Sequence, residues 1–153
     1  MNKNQDLLQL DQAFSQFEIQ ICSLSGEFLL PRMGDWTPRD VVAHLIGWNR
    51  LIREGCMSIL AGNAPFYHAD AVNDYRAVNA DSIARYATRE GCALLAELER
   101  SYTELKQFIE SVEAADWEAD HGVQHHSGGP ATVARSVDSL TRDYNHHRQE
   151  IEA

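Results

Sequence analysis

The chain has 153 residues, of which 44% are hydrophobic and 24% charged, and its formal net charge is -10 at pH 7. That length suits a single domain, 1–153, with a core of its own, and the charged fraction argues against both a membrane span and a disordered chain. The acidic balance opposes a phosphate backbone or an anionic bilayer, so neither a nucleic-acid nor a membrane partner is expected.

From Leu7 the apolar residues Leu7, Leu10, Phe14, Phe17, Ile21 and Leu24 alternate steps of three and four, which places them on one stripe of a first helix. Gly26 and Pro31 break the pattern. "GDWTPRD" then carries the strongest helix start in the chain, with Thr37 as N-cap, Pro38 at the first helical position and Asp40 three residues after the cap. The second helix has Val41, His44, Leu45, Trp48, Leu51 and Ile52 on its stripe, and "AGNAP" ends it. A third long segment runs from Val72 to Val112, with Thr88 and Gly91 marking a break or kink inside it. A polar, glycine-rich loop from Ala114 to Pro130 precedes a last helix whose stripe is Val133, Val137, Leu140, Tyr144, His147 and Ile151. No stretch alternates with period two over a useful length, so the expected fold class is all-α, an antiparallel four-helix bundle.

Cys22, Cys56 and Cys92 are odd in number and far apart, and each sits in an apolar pattern; they read as reduced core thiols of a cytoplasmic protein. The opening MNKNQDLLQLDQ has no sustained apolar h-region and no cleavage site, and no apolar run reaches the length of a spanning helix.

His44 and His147 both occupy inward positions, between Val41 and Trp48 in one helix and between Tyr144 and Ile151 in the other. An imidazole in an apolar core needs a hydrogen-bond partner or a metal, because leaving it unpaired costs about 1–3 kcal/mol. Asp143 lies one turn before His147, at i, i+4, so both side chains leave the same face. Two imidazoles and a carboxylate match the hardness of a divalent zinc, nickel, manganese or iron ion, and such a set leaves coordination positions open for water or substrate. The same three residues also read as hydrogen-bonded core groups without a metal, and spacing alone does not choose between these. His146 is turned about 100° from His147, at the surface or the rim of a pocket. His125 and His126 read as solvent-facing loop residues, with closure over a pocket as the alternative. Trp36 reads as packing the bundle end beside the cap. Trp48 and Tyr144, one turn from the candidate ligands, wall a pocket or fill the core, and Asn79 is either a polar contact inside that cavity or an exposed amide. The chain contains no P-loop, G-x-G-x-x-G or G-x-S-x-G.

"GDWTPRDVVAHLIGWNR" resembles the DinB-like superfamily of four-helix bundles, with a tryptophan before a Thr-Pro helix start and D-V-V-A-H in the second helix. "HHRQEI" resembles that superfamily's last-helix signature, and "NDYRAVNADSIARYA" with "ADW" is most similar to its ClbS/DfsB branch. In that superfamily one histidine from the second helix and an H-x-x-x-H pair from the last commonly bind a divalent metal. By resemblance these map to His44, Asp143 and His147. The aspartate is a departure that leaves open a two-histidine, one-carboxylate metal site, a changed metal preference, or a branch that has lost the metal. Members with known chemistry include thiol-dependent transferases and isomerases using low-molecular-weight bacterial thiols, and a hydrolase that opens a strained ring in a genotoxin.

The resemblance therefore implies a cytoplasmic, homodimeric enzyme that acts on a small-molecule substrate, a low-molecular-weight thiol among the candidates, by hydrolysis or thiol transfer in detoxification. Its catalytic and metal-binding residues would be His44, Asp143 and His147, with Trp48, Asn79, Tyr144 and His146 around the pocket. A His–carboxylate pair acting as general base needs no ion. The competing expectation is a non-catalytic bundle serving ligand binding or dimerisation.

Overall fold

The computed structural model describes residues 2–24 and 36–152. Its helices are α1 (Lys3–Ser23), α2 (Pro38–Leu60), α3 (Arg76–Arg85), α4 (Gly91–Ser111), α5 (Ala114–Trp117) and α6 (Val133–Glu152), with a 3-10 segment at Phe66–Asn73. No strand forms among the described residues. The expected break at Gly26 and Pro31 lies outside them.

Helix starts follow local chemistry. Thr37 and Asp40 form the reciprocal capping box read from the sequence: the Asp40 N–H donates to Thr37 Oγ1 at 3.2 Å and the Thr37 N–H to Asp40 Oδ2 at 3.0 Å. Asn2 and Gln5 do the same for α1. Thr132 caps α6, its Oγ1 accepting from the Arg135 N–H at 3.1 Å.

Contacts between the helices fix their directions. Lys3 reaches the carbonyls of Glu110 and Val112, while Asp11 meets Tyr102 and Lys106, so α1 and α4 are antiparallel. His44 meets Asp143 and Cys56 meets Ser136, so α2 and α6 are antiparallel as well. Arg39 donates to carbonyls at Tyr86 and Ala87 and Asn49 bonds Ser101, so α2 and α4 run the same way. The result is an all-α bundle, antiparallel across two of its pairs. A long crossover, residues 61–90, carries the chain back along α2 so that α4 can start at the same end.

Two glycines admit that crossover. A Cβ on Gly47 would lie 2.6 Å from the Ser82 Cβ, and one on Gly55 would lie 2.8 Å from Tyr67 Cε1. Both glycines therefore let the crossover pack directly on the α2 backbone.

The core is continuous. Leu10, Phe14, Phe17 and Ile21 of α1 pack with Leu45 and Ile46 of α2, Leu98 and Leu105 of α4 and Val137 and Tyr144 of α6. Burying each such side chain contributes about 1.5–3 kcal/mol. Phe14 stacks on Tyr102 with ring centroids 3.8 Å apart. A polar chain threads this apolar interior: Tyr144 donates to Asn49 Oδ1 at 2.7 Å, and Asn49 Nδ2 donates to Ser101 Oγ at 3.0 Å. It ties α6, α2 and α4 in one register.

Three local expectations are corrected. The segment from Val72 begins as 3-10 rather than α-helix, with Val72 85% exposed. The loop after Ala114 contains α5, whose buried Trp117 donates Nε1–H to Asp6 Oδ2 at 2.7 Å and closes one end of the bundle. Of the cysteines only Cys56 is a core thiol; Cys22 and Cys92 are exposed. Cys22 sits one residue beyond buried Ile21, about 100° around α1, and Cys92 lies in the first turn of α4 off the Leu94–Leu98 stripe.

Candidate functional site

The antiparallel crossing of α2 and α6 brings an inward histidine of one helix opposite an i, i+4 pair of the other. Asp143 lies between two imidazoles, its Oδ2 2.9 Å from His44 Nε2 and its Oδ1 3.2 Å from His147 Nε2. The two imidazole rings are 5.0 Å apart, and both histidines are buried while Asp143 is half-buried. Burial alone would push the Asp143 carboxyl upward, but its hydrogen bonds with His147 and His44 and the charges of those rings outweigh it and hold the carboxyl well below the usual range. For His147 the balance runs the other way: burial would lower its pKa, and the bonds and charges of Asp143 and Glu150 raise it.

The far side of each ring is also held. His44 Nδ1 lies 3.0 Å from Asn79 Oδ1, which also accepts the Trp48 Nε1–H at 2.8 Å. The indole can only donate, so that amide atom is the acceptor oxygen and His44 Nδ1 carries hydrogen. His147 Nδ1 lies 2.6 Å from Glu150 Oε1, and a carboxylate can only accept, so this Nδ1 carries hydrogen too. Both neutral rings would then aim Nε2 lone pairs at a carboxylate. The arrangement requires positive charge in the middle, supplied either by two ring protons or by one divalent cation.

The donor set fits a cation. Ligand atoms of His44, Asp143 and His147 all lie within 4.8 Å of one another. Each Nδ1–H is anchored by an oxygen acceptor, the outer arrangement that fixes tautomer and ring orientation in histidine metal sites. Imidazole and carboxylate suit zinc, nickel, manganese or iron.

These residues open on a cavity of about 770 Å³. Of the seven histidines in the chain, six line it, all but His121. Trp48 and Asn79 stand in its wall, and His146 lies at its rim, 66% exposed. Tyr144 does not line it. The residue after Asp143 is turned toward α1, where Tyr144 packs edge-on against Phe14 and Phe17, fully buried. Trp36, expected to pack the bundle end, lies against His44 with centroids 4.8 Å apart and forms part of the wall. His125 and His126 reach the cavity from their loop.

Sequence reasoning passed over Glu150, although its place three residues after His147 on the helix face was a usable signal. It also passed over His68, Tyr67 and Tyr75. These come from the crossover, whose course no periodicity describes.

Residues 30–152 match the family model described as the mycothiol maleylpyruvate isomerase N-terminal domain. No curated protein matches the sequence. Among solved structures, DfsB, described as a sibling lethal factor precursor, superposes with a TM-score of 0.80 at 17% identity, over 99% of this chain and 94% of that one. The colibactin self-resistance protein ClbS, solved in complex with double-stranded DNA, gives 0.81 at 17% identity over 99% and 93%. A mycothiol-dependent maleylpyruvate isomerase gives 0.79 at 17% identity, covering 100% of this chain but 62% of the enzyme. At these identities the likeness establishes a shared fold.

Proposed function

The chain belongs to the family of the mycothiol maleylpyruvate isomerase N-terminal domain, in the DinB-like superfamily, and from that premise we propose that it is a small-molecule enzyme of the cytoplasm working at a His44/Asp143/His147 centre. The reaction class is attack of an activated water or low-molecular-weight thiol on a small electrophile, in detoxification. One observation carries this reading: both imidazoles have their Nδ1 faces occupied by acceptors, so both Nε2 atoms and the Asp143 carboxylate converge beside an open cavity.

A divalent ion held there would act as a Lewis acid, lowering the pKa of a bound water or thiol. The chain's own part is positional. Asn79 and Glu150 lock the two rings, and Asp143 supplies the negative charge that favours a cation. Trp36 and Trp48 flank His44. Support for a small-molecule partner comes from the cavity of about 770 Å³ beside these residues and from the net charge of -10, which opposes a phosphate backbone, although the structurally similar ClbS has been solved with DNA.

The test is metal analysis by mass spectrometry of untagged protein grown under replete conditions, alongside His44→Ala and His147→Ala, followed by assay of thiol consumption with small electrophiles. Near-stoichiometric metal in the wild type, at least tenfold less in each variant, and turnover that follows the metal are expected. Equal trace metal in all three proteins would overturn the metal centre. Full metal loading without turnover of any electrophile would favour a ligand-binding module.

A further inference from the structure

Helix α6 carries four acids, Asp138, Asp143, Glu150 and Glu152. Two of them pair with arginines of the same helix: Arg142 Nε lies 3.1 Å from Asp138 Oδ2, and Arg148 Nη1 lies 3.0 Å from Glu152 Oε1. The other two, Asp143 and Glu150, pair with histidines.

Glu150 repeats on the outside of the helix what Asp143 does at the cavity. Each Asp143 oxygen faces a different imidazole, and so does each Glu150 oxygen: Oε1 lies 2.6 Å from His147 Nδ1 and Oε2 lies 3.7 Å from His146 Nε2. The helix dictates this grouping, because His147 and His146 precede Glu150 by three and four residues and so share its face. Their ring centroids are 5.2 Å apart, close to the 5.0 Å between His44 and His147. Ligand atoms of His146, His147 and Glu150 all lie within 4.8 Å of one another, as do those of the inner set. Imidazole and carboxylate again suit a divalent transition metal. The surroundings differ, since Glu150 does not line the cavity and His146 is 66% exposed. Water screens such a site, so it attracts a cation less strongly than buried ligands do.

His147 belongs to both sets, and its ring links them. A neutral imidazole has one N–H and one lone-pair nitrogen. With the hydrogen on Nδ1, donated to Glu150, the Nε2 lone pair serves the inner centre. An ion at Glu150 needs the Nδ1 lone pair instead, which moves the hydrogen to Nε2, where Asp143 Oδ1 accepts it at 3.2 Å. A ring that keeps one hydrogen serves one ion at a time.

We propose that His146, Glu150 and His147 Nδ1 form a second, weaker divalent-cation site on the outer face of α6, and that it competes with the inner centre for the His147 ring. Excess metal then opposes the inner ion, by the reciprocal coupling that links any two such sites. The outer site stands on its own geometry, whereas the competition rests on the reading of the His44 centre as a metal centre.

Calorimetric titration of zinc into the untagged, chelator-stripped full chain, with His146→Ala and His44→Ala alongside, tests it. The wild type should show a tight step and a second at least tenfold weaker. His146→Ala should lose the weak step and keep the tight one within threefold. His44→Ala should lose the tight step and fill the outer site at least threefold more tightly than the wild type does. Circular dichroism and melting temperature verify that the variants fold. A weak step that persists in His146→Ala, or a wild type without one, overturns the outer site. An outer step in His44→Ala no stronger than the second step of the wild type overturns the competition. A wild type with only the weak step, lost in His146→Ala, would remove metal from the inner centre and leave the outer site standing.

Discussion

Glu150 grips His147 from the side opposite Asp143: its Oε1 lies 2.6 Å from Nδ1, while Asp143 Oδ1 lies 3.2 Å from Nε2. One helix thus supplies a candidate ligand, a second candidate ligand one turn before it, and the acceptor that orients the first. Removing such an outer acceptor typically costs 10–100-fold in metal affinity. Glu150→Ala should therefore weaken zinc binding by about that factor, measured by competition with a chromophoric chelator, while Glu150→Gln, which still offers an acceptor oxygen, should fall within a few-fold of wild type. Equal affinity in the alanine variant would remove Glu150 from the site.

Asn79 does the corresponding work on His44, with one oxygen receiving two donors. Asn79→Leu would leave the Trp48 indole and His44 Nδ1 without that acceptor, at about 1–3 kcal/mol for a stranded buried donor. A melting temperature lower by roughly 2–4 °C per kcal/mol follows for a chain of this size. Differential scanning calorimetry on metal-free protein separates this cost from any loss of metal, and an unchanged melting temperature would show that both donors find other partners.

His44, Asp143 and His147 were legible because helical spacing is a strong signal: inward histidines announce themselves by sitting on an apolar stripe, and i, i+4 places a carboxylate beside one of them. The Thr37 capping box was legible for the same local reason. Tyr144 took the core alternative and not the pocket one because a residue one step from Asp143 is carried about 100° around the helix, onto the face that meets α1. Trp36 failed because its partner, His44, lies across a helix start whose direction only the packing sets. The crossover was least legible. Its 3-10 turn, the left-handed pair Asp74–Tyr75 and the approach over Gly47 and Gly55 depend on contacts with α2, and these determine which residues the cavity receives.

The cysteines give a chemical check on the packing. Burial pushes the Cys56 thiol up to about 12, and the thiolate is the reactive form. Cys22 and Cys92 are exposed. Native protein treated with iodoacetamide near pH 8 should be alkylated at those two within the time that leaves Cys56 untouched, and peptide mass mapping reads the difference. Modification of Cys56 at a comparable rate would mean that α2 opens at the Tyr67 and Ser136 contacts far more readily than its packing implies.

His125 gives the pH dependence. Its folded pKa is lowered from 6.5 to about 4, first by burial and then by Arg135, His126 and His68. Between those values the unfolded chain holds a proton that the folded ring does not, so the unfolded state binds more protons and stability declines as pH falls from about 6.5 toward 4. The ring is only half-buried, so solvent screening keeps its contribution small. His125→Phe removes the titrating group and should flatten this part of the curve of melting temperature against pH. The ring's own titration, followed by its carbon-bound proton resonances, should show a midpoint near 4. A midpoint near 6.5 would mean that the loop holds His125 in open solvent, away from Arg135.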